Sequence, residues 1–275
     1  MEFKEFSQHS KNIRKNILEA AFNCGTAAHL GGSLSLTDIL CVLYGSNFSN
    51  LSQKEISDNE RDRFILSKGH SALGLYATLF EYGIISKCVF ESFQKDGSYL
   101  VTHPVMHKEY GIESSSGSLG QGISFAVGLA LNAKKKNKPY KTYVLCGNGE
   151  CNEGSVWEAS MSIINFNLNN LILIIDNNRM QSDGISETIM NVSTKYSAMF
   201  KALGFEVVDI DGHNVEEIYN AFSNAQNAST PVVIMANTTK GKGVSFMENN
   251  PDWHHGRLTL ALYEQAVTEL ERNND

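Results

Sequence analysis

Proline is scarce in this 275-residue chain, at four residues, and the five cysteines form no C-x-x-C pair or regular framework. No strongly apolar run is longer than LILII, which begins at Leu171, and basic charge is in deficit, with a net charge of −7. Each absence excludes something. LILII is far too short to span a bilayer, and the start, MEFKEFSQHSKNIRKN, lacks the apolar stretch of a secretory signal. No membrane partner is expected, and the chain reads as cytoplasmic and unprocessed. An odd set of cysteines (Cys24, Cys41, Cys88, Cys146 and Cys151) suits a reducing compartment. Acidity, with a pI near 5.6, argues against nucleic acid as a partner, because phosphate readers cluster Lys and Arg. The one basic run, AKKKNK from Ala133, follows an apolar segment and suits the last turn of a helix. A hydrophobic content of 42% excludes disordered and collagen-like chains.

What is present is an alternation. Ile13, Ile17, Leu18, Ala21 and Phe22 repeat at helical spacing up to Gly25, and TDILCVLYG from Thr37 repeats the pattern behind a capping Thr. RFIL at 63–66 reads as a strand that runs through SKGHS into the helix GLYATLFEYG. Then follow YKTYVLCG, LILIID, FEVVDID and PVVIMANT as strands, with SVWEASMSIINF, KYSAMFKALG and VEEIYNAFSNA as the helices between them. Continuous apolar strands suit a parallel sheet covered on both faces, so the fold class is α/β, a doubly wound parallel sheet. No linker or repeat divides the chain, so one domain over residues 1–275 is expected, ending in a helix at about 257–273.

In such a sheet the ligand lies beyond the carboxyl ends of the strands. YVLCG ends in Gly147-Asn148-Gly149 and LILII in Asp176-Asn177-Asn178, with one helix between. Asn148 and Asn178 therefore face one edge, and their oxygens, with glycines that permit close approach, suit Mg²⁺ or Ca²⁺ bridging to a diphosphate. Two ordinary strand-to-helix turns are the plainer alternative. Read singly, His9, His107 and His213 are structural or surface residues. Cys146 reads as core filler and Cys151 as a loop residue, neither with a base beside it.

GNGECNEGSVWEAS followed by IIDNNRMQSDG resembles the thiamine-diphosphate motif of the transketolase family. AAHLGGSLS at Ala27, SKGHSALGLYATL at Ser67, THP at Thr102, SSGSLGQGIS at Ser115 and TTKGKGVSFMENNPDWHHG at Thr238 agree in order, over essentially the whole chain. The size is similar to that of the N-terminal, thiamine-diphosphate-binding subunit of a split transketolase. The resemblance implies thiamine diphosphate and Mg²⁺, or Ca²⁺ or Mn²⁺ in its place, with Asn148, Asn178 and the Met180 carbonyl as metal ligands. It implies cofactor contacts from His70, Gly117, Ser118, Leu119, Gly147, Asn148, Gly149, Glu153, Asn178 and His255, with His254 as an alternative register to His255. His29 and His103 would line the substrate channel and His255 would border the reacting carbon. Glu153 and Glu158 match a carboxylate pair at a subunit interface.

Two departures stand out. The family usually has Asp where this chain has Asn148, which should lower Mg²⁺ affinity unless Glu150 or the diphosphate compensates. Ser182 replaces an apolar residue. The glutamate that activates the aminopyrimidine, and the arginines for the sugar phosphate, belong in this family to a second, pyrimidine-binding half. The implied partner is therefore a separate C-terminal subunit, in an α2β2 heterotetramer that moves a two-carbon ketol unit from a ketose to an aldose, with sugar phosphates as substrates. A 2-oxo-acid dehydrogenase or decarboxylase subunit, and a non-catalytic homologue with a weakened metal site, are the alternatives.

Overall fold

In the computed structural model, residues 3–52 and 60–272 are described. The helices are α1 (Phe3–Asn23), α2 (Gly31–Ser35), α3 (Thr37–Gly45), α4 (Ala72–Glu81), α5 (Lys87–Phe90) and α6 (Gln121–Lys135), then α7 (Gly154–Asn165), α8 (Ser186–Ile189), α9 (Tyr196–Leu203), α10 (Val215–Gln226) and α11 (Leu260–Arg272). The strands are β1 (Arg63–Leu66), β2 (Thr142–Gly147), β3 (Leu171–Asn177), β4 (Met180–Gln181), β5 (Gly184–Ile185), β6 (Glu206–Asp211) and β7 (Val232–Asn237). Five of them form one parallel sheet in the order β1-β2-β3-β7-β6, while β4 and β5 make a small antiparallel ribbon.

The apolar runs follow from having two faces to fill. Along β2 and β3, Tyr143, Leu145, Ile172 and Ile174 enter one core, shared with residues of α1, α3 and α4. Their neighbours Val144, Cys146, Leu173 and Ile175 enter the other, shared with residues of α6, α7 and α9. Successive strand side chains point to opposite faces, so a strand covered twice has no polar position to spare. FEVVDID departs from that expectation: β6 is an edge strand, and Glu206, Asp209 and Asp211 are exposed. The last helix begins at Leu260, after Thr259, whose Oγ1 accepts the Leu262 N–H at 3.4 Å. The expected start near 257 lies ahead of that cap, and residue 273 lies outside the described residues.

The basic run behaves as its position requires. Lys134 and Lys135 occupy the last turn of α6, and Lys134 Nζ donates to the carbonyls of Phe166 and Asn167, capping the end of α7. All five cysteines are free thiols, and Cys151 is buried as fully as Cys146. Among the described residues, no helix is long and apolar enough to cross a membrane.

Candidate active site

Register brings the strand ends level. Gly147 pairs with Asp176 and Asn177 with Asn237, so the loops after β2, β3 and β7 leave the sheet at one edge. At the centre of that edge Asp176 is wholly buried; its Oδ2 accepts from Ser35 Oγ at 2.6 Å and from Lys68 Nζ, and its Oδ1 from Thr238 Oγ1. Lys68 Nζ also donates to the Gly32 carbonyl at 3.1 Å. Lys240, the second buried ammonium, donates to the Gln181 carbonyl at 3.1 Å and to His254 Nδ1 at 3.0 Å. A Cβ on Gly31 would lie 2.8 Å from Lys240 Cγ, so the glycine lets that side chain pass. Each ammonium has three donors and uses two among the described residues, leaving one N–H for a ligand.

Histidines form the wall above these cations. The His29 ring lies 4.4 Å from His255, 5.4 Å from His254, 5.6 Å from His70 and 5.7 Å from His103, and His70 lies 5.1 Å from His254. An antiparallel bridge between Ala28 and Gly256 sets this register and places His255 directly against His29. His254 is the one bonded to Lys240. Burial, then His255, His254, His103 and Lys240, push the His29 pKa down to about 3. Burial, then Lys240, Lys68 and His255, lower His254 to about 4, against a weak pull upward from Asp183. His70 is held well below its ordinary value, chiefly by burial and then by Lys68. At neutral pH these imidazoles are uncharged, each with one donor and one acceptor. Burial with Lys68 beside it also lowers Lys240, to about 8.

Asn148 and Asn178 are both buried at this edge. The Asn148 N–H donates to the Asp176 carbonyl at 3.1 Å and its Nδ2 to Ser186 Oγ at 2.6 Å, while its Oδ1 accepts no hydrogen bond among the described residues. Asn178 Oδ1 accepts the Met180 N–H at 3.0 Å, which fixes the turn into β4 and leaves a second lone pair. Gly149 abuts Gln181, and Gly117 abuts His103. Ser118, Glu153 and Glu158 are exposed and Leu119 is half-buried; Ser182 is exposed as well.

Several residues enter the site that the motif reading passed over: Lys68, Lys240, Asp176, Gln181 and Ser71. Lys68 and Lys240 flank glycine in SKGH and TTKGKG, and that adjacency was the available signal. Glu150, one of the two sources of compensating charge left open by the sequence, is engaged elsewhere. Its Oε1 accepts from Ser67 Oγ at 2.5 Å and from the Gly120 N–H at 2.7 Å, and its Oε2 from the Gly147 N–H at 3.0 Å. Both oxygens face loops, and burial raises the carboxyl pKa.

The donor set fits an anionic ligand with a cation. Among the described residues, His29 Nδ1, Ser71 Oγ and Gln181 Nε2 are buried without a hydrogen-bond partner, an expensive arrangement unless a ligand satisfies them. Neutral oxygens of Asn148 and Asn178 suit a hard divalent cation whose charge is balanced by the ligand. Among the described residues, no group of three or more His, Cys, Asp or Glu side chains could hold a metal alone.

Comparison with known proteins gives the same direction. Residues 8–273 match the family model described as transketolase, thiamine diphosphate binding domain. The chain is 38% identical over 271 residues to an apulose-4-phosphate transketolase subunit of Phocaeicola vulgatus, covering 98% of this chain and 95% of that one. It is 39% identical over 267 residues to the 6-deoxy-6-sulfo-D-fructose transketolase subunit SqwG of Clostridium sp., covering 96% of each. Among solved structures, the transketolase of Campylobacter jejuni superposes with a TM-score of 0.83 at 31% identity, over 98% of this chain but 43% of that one.

Proposed function

Because the chain belongs to the transketolase family, we propose that it is the thiamine-diphosphate-binding subunit of a two-component enzyme that moves a two-carbon ketol unit from a ketose to an aldose. The observation that carries this reading is the convergence of clustered histidines, two buried ammoniums and buried polar atoms without partners among the described residues on the edge where β2 and β3 end. Thiamine diphosphate, when bound, supplies the nucleophilic carbon and the electron sink. The residues of this chain bind and orient. Lys68, Lys240, His70 and Gln181 would meet the diphosphate, with the Gly149 backbone close by. Asn148, Asn178 and the Met180 carbonyl would hold Mg²⁺ on the same group. Gly117, Ser118 and Leu119 would border the cofactor's ring system. His29, His103 and His255 would bond substrate hydroxyls, and His29, held uncharged at neutral pH by burial and its neighbours, can both donate and accept there.

The chain spans less than half of the solved transketolase it superposes on, and the naming of its full-length relatives as subunits supports a separate partner. We assign that partner the pyrimidine-binding half, in an α2β2 assembly within the cytoplasm. Glu153 and Glu158 beside and on α7 are exposed, together with Phe125 on α6 and Met161 on α7 at 45% and 53%. That surface is the one the partner would cover. The sugars named for the relatives carry a phosphate or a sulfonate, so phosphorylated and sulfonated ketoses are the first donors to assay. Co-expression with the chain encoded beside this one should yield thiamine-diphosphate-dependent ketol transfer, and this chain purified alone should yield none. Robust turnover by the single chain would sink the two-component reading. No heat on titrating thiamine diphosphate with Mg²⁺, even with the partner present, would favour a non-catalytic homologue.

A further inference from the structure

The turn after β6 lays His213 against the loop that carries Lys240, and we propose that His213 is a positioning residue that sets both buried ammoniums through the backbone of Thr239. The proposal rests on the reading above, in which Lys68 and Lys240 face the diphosphate. His213 itself does not reach that group. The Thr239 N–H lies 2.8 Å from His213 Nε2, and a backbone N–H can only donate, so Nε2 carries no proton. The ring proton is therefore on Nδ1 and is donated to Asp38 Oδ2, 2.7 Å away. Burial alone would push the Asp38 carboxyl up, but Arg14 and His213 hold it well below the usual carboxylate range. Arg14 binds both oxygens, at 2.9 and 2.5 Å. Its Nε also donates to the Lys242 carbonyl at 3.2 Å, so one chain of bonds grips the loop at two points.

Between those points stands Lys240, and just before them Thr238, whose hydroxyl holds the Asp176 carboxylate that pairs with Lys68. Close approach is built in at Gly212, where a Cβ would fall 2.4 Å from Thr238 Cγ2 and where the N–H donates to the Asn237 carbonyl at 2.8 Å. The turn is pinned from its own side as well, since the His213 N–H donates to Asp211 Oδ1 at 2.9 Å. The imidazole thus joins α1 and α3 on one side to the loop after β7 on the other. It does so with one ring nitrogen for each.

Two conservative variants separate those two bonds. His213→Asn keeps an amide N–H where Nδ1 stood and loses the acceptor for Thr239; His213→Gln places an oxygen where Nε2 stood and gives up Asp38. On the full chain, amide exchange over residues 238–243 should quicken in His213→Asn and stay near wild type in His213→Gln. The thiamine diphosphate concentration for half-saturation, with Mg²⁺ present, should rise about tenfold in the Asn variant and hold within about threefold in the Gln variant. His213→Gln should show the larger loss of melting temperature, because it leaves the Asp38 carboxylate short of a donor. Equal exchange and equal affinity in the two variants would overturn the positioning role. Exchange needs no cofactor. A wild-type chain that never binds thiamine diphosphate would therefore overturn the proposed function, while the exchange contrast still decides the role of His213.

Discussion

Asn148 gives the site an amide where the resemblance leads one to expect a carboxylate, and its surroundings bear on the consequence. Two acids beside it in the fold are already committed: Asp176 to Lys68, Ser35 and Thr238, and Glu150 to Ser67 and two backbone N–H groups. The protein ligands proposed for the cation are all neutral, so the diphosphate must supply the balancing charge. Replacing Asn148 with Asp should tighten Mg²⁺-dependent cofactor binding by about tenfold, ~1.4 kcal/mol, and Ser186 Oγ can donate to the new carboxylate. Calorimetric titration with and without Mg²⁺ checks this; an unchanged metal requirement would show that the missing charge is made up elsewhere. Residue identity told part of the story in advance. His29, His70 and His103 stand out in sequence because they sit in glycine- or proline-flanked motifs. His213 does not stand out, since its partners lie on α3 and in the loop after β7, far away in the chain and adjacent only once folded.

At the scale of elements, the site is a meeting of loops, and Glu150 ties three of them. Its carboxylate holds Ser67 after β1, the turn into α6 at Gly120, and the end of β2 at Gly147. Hydrogen bonds to a buried charged group are worth about 1.5–3 kcal/mol each, and the donors left behind carry their own desolvation cost. Glu150→Ala should therefore lower stability by about 3 kcal/mol or more, with Glu150→Gln between it and wild type, as denaturant unfolding would measure. Equal stability of the Ala variant would show that solvent replaces the carboxylate. Strands and helices were legible in the sequence because both faces of β2 and β3 demand apolar side chains, and because α1 and α3 repeat at helical spacing. Short elements were not: the β4–β5 ribbon and α8 have too few residues to show a period, and whether an edge strand is covered depends on what packs over it, since β1 at one edge is buried throughout while β6 at the other is exposed at Glu206, Asp209 and Asp211.

For the molecule as a whole, the two buried ammoniums bear on stability. Lys240 has its pKa lowered to about 8, first by burial and then by Lys68, with Asp176 pulling the other way. In the unfolded chain a lysine titrates near its ordinary value of 10.5. Between those two values the unfolded chain binds more protons than the folded one, so stability of the unloaded chain should rise as pH goes from about 8 towards 10.5. A diphosphate beside Lys240 would favour its charged form and raise its pKa, so the loaded chain should show a flatter profile. Melting temperature against pH, with and without thiamine diphosphate and Mg²⁺, reads both slopes. Parallel profiles would show that the ligand does not approach Lys240.

Such a site also makes the cofactor a structural component. Unpartnered His29 Nδ1, Ser71 Oγ and Gln181 Nε2, together with the crowded cations, are costs that the folded chain carries until a ligand relieves them. Ligand that binds only the native state stabilises it in proportion to the logarithm of its concentration. The persistence of this protein in a cell would then follow the supply of the vitamin-derived cofactor. Copies made when that supply is short would be the first to unfold and be degraded.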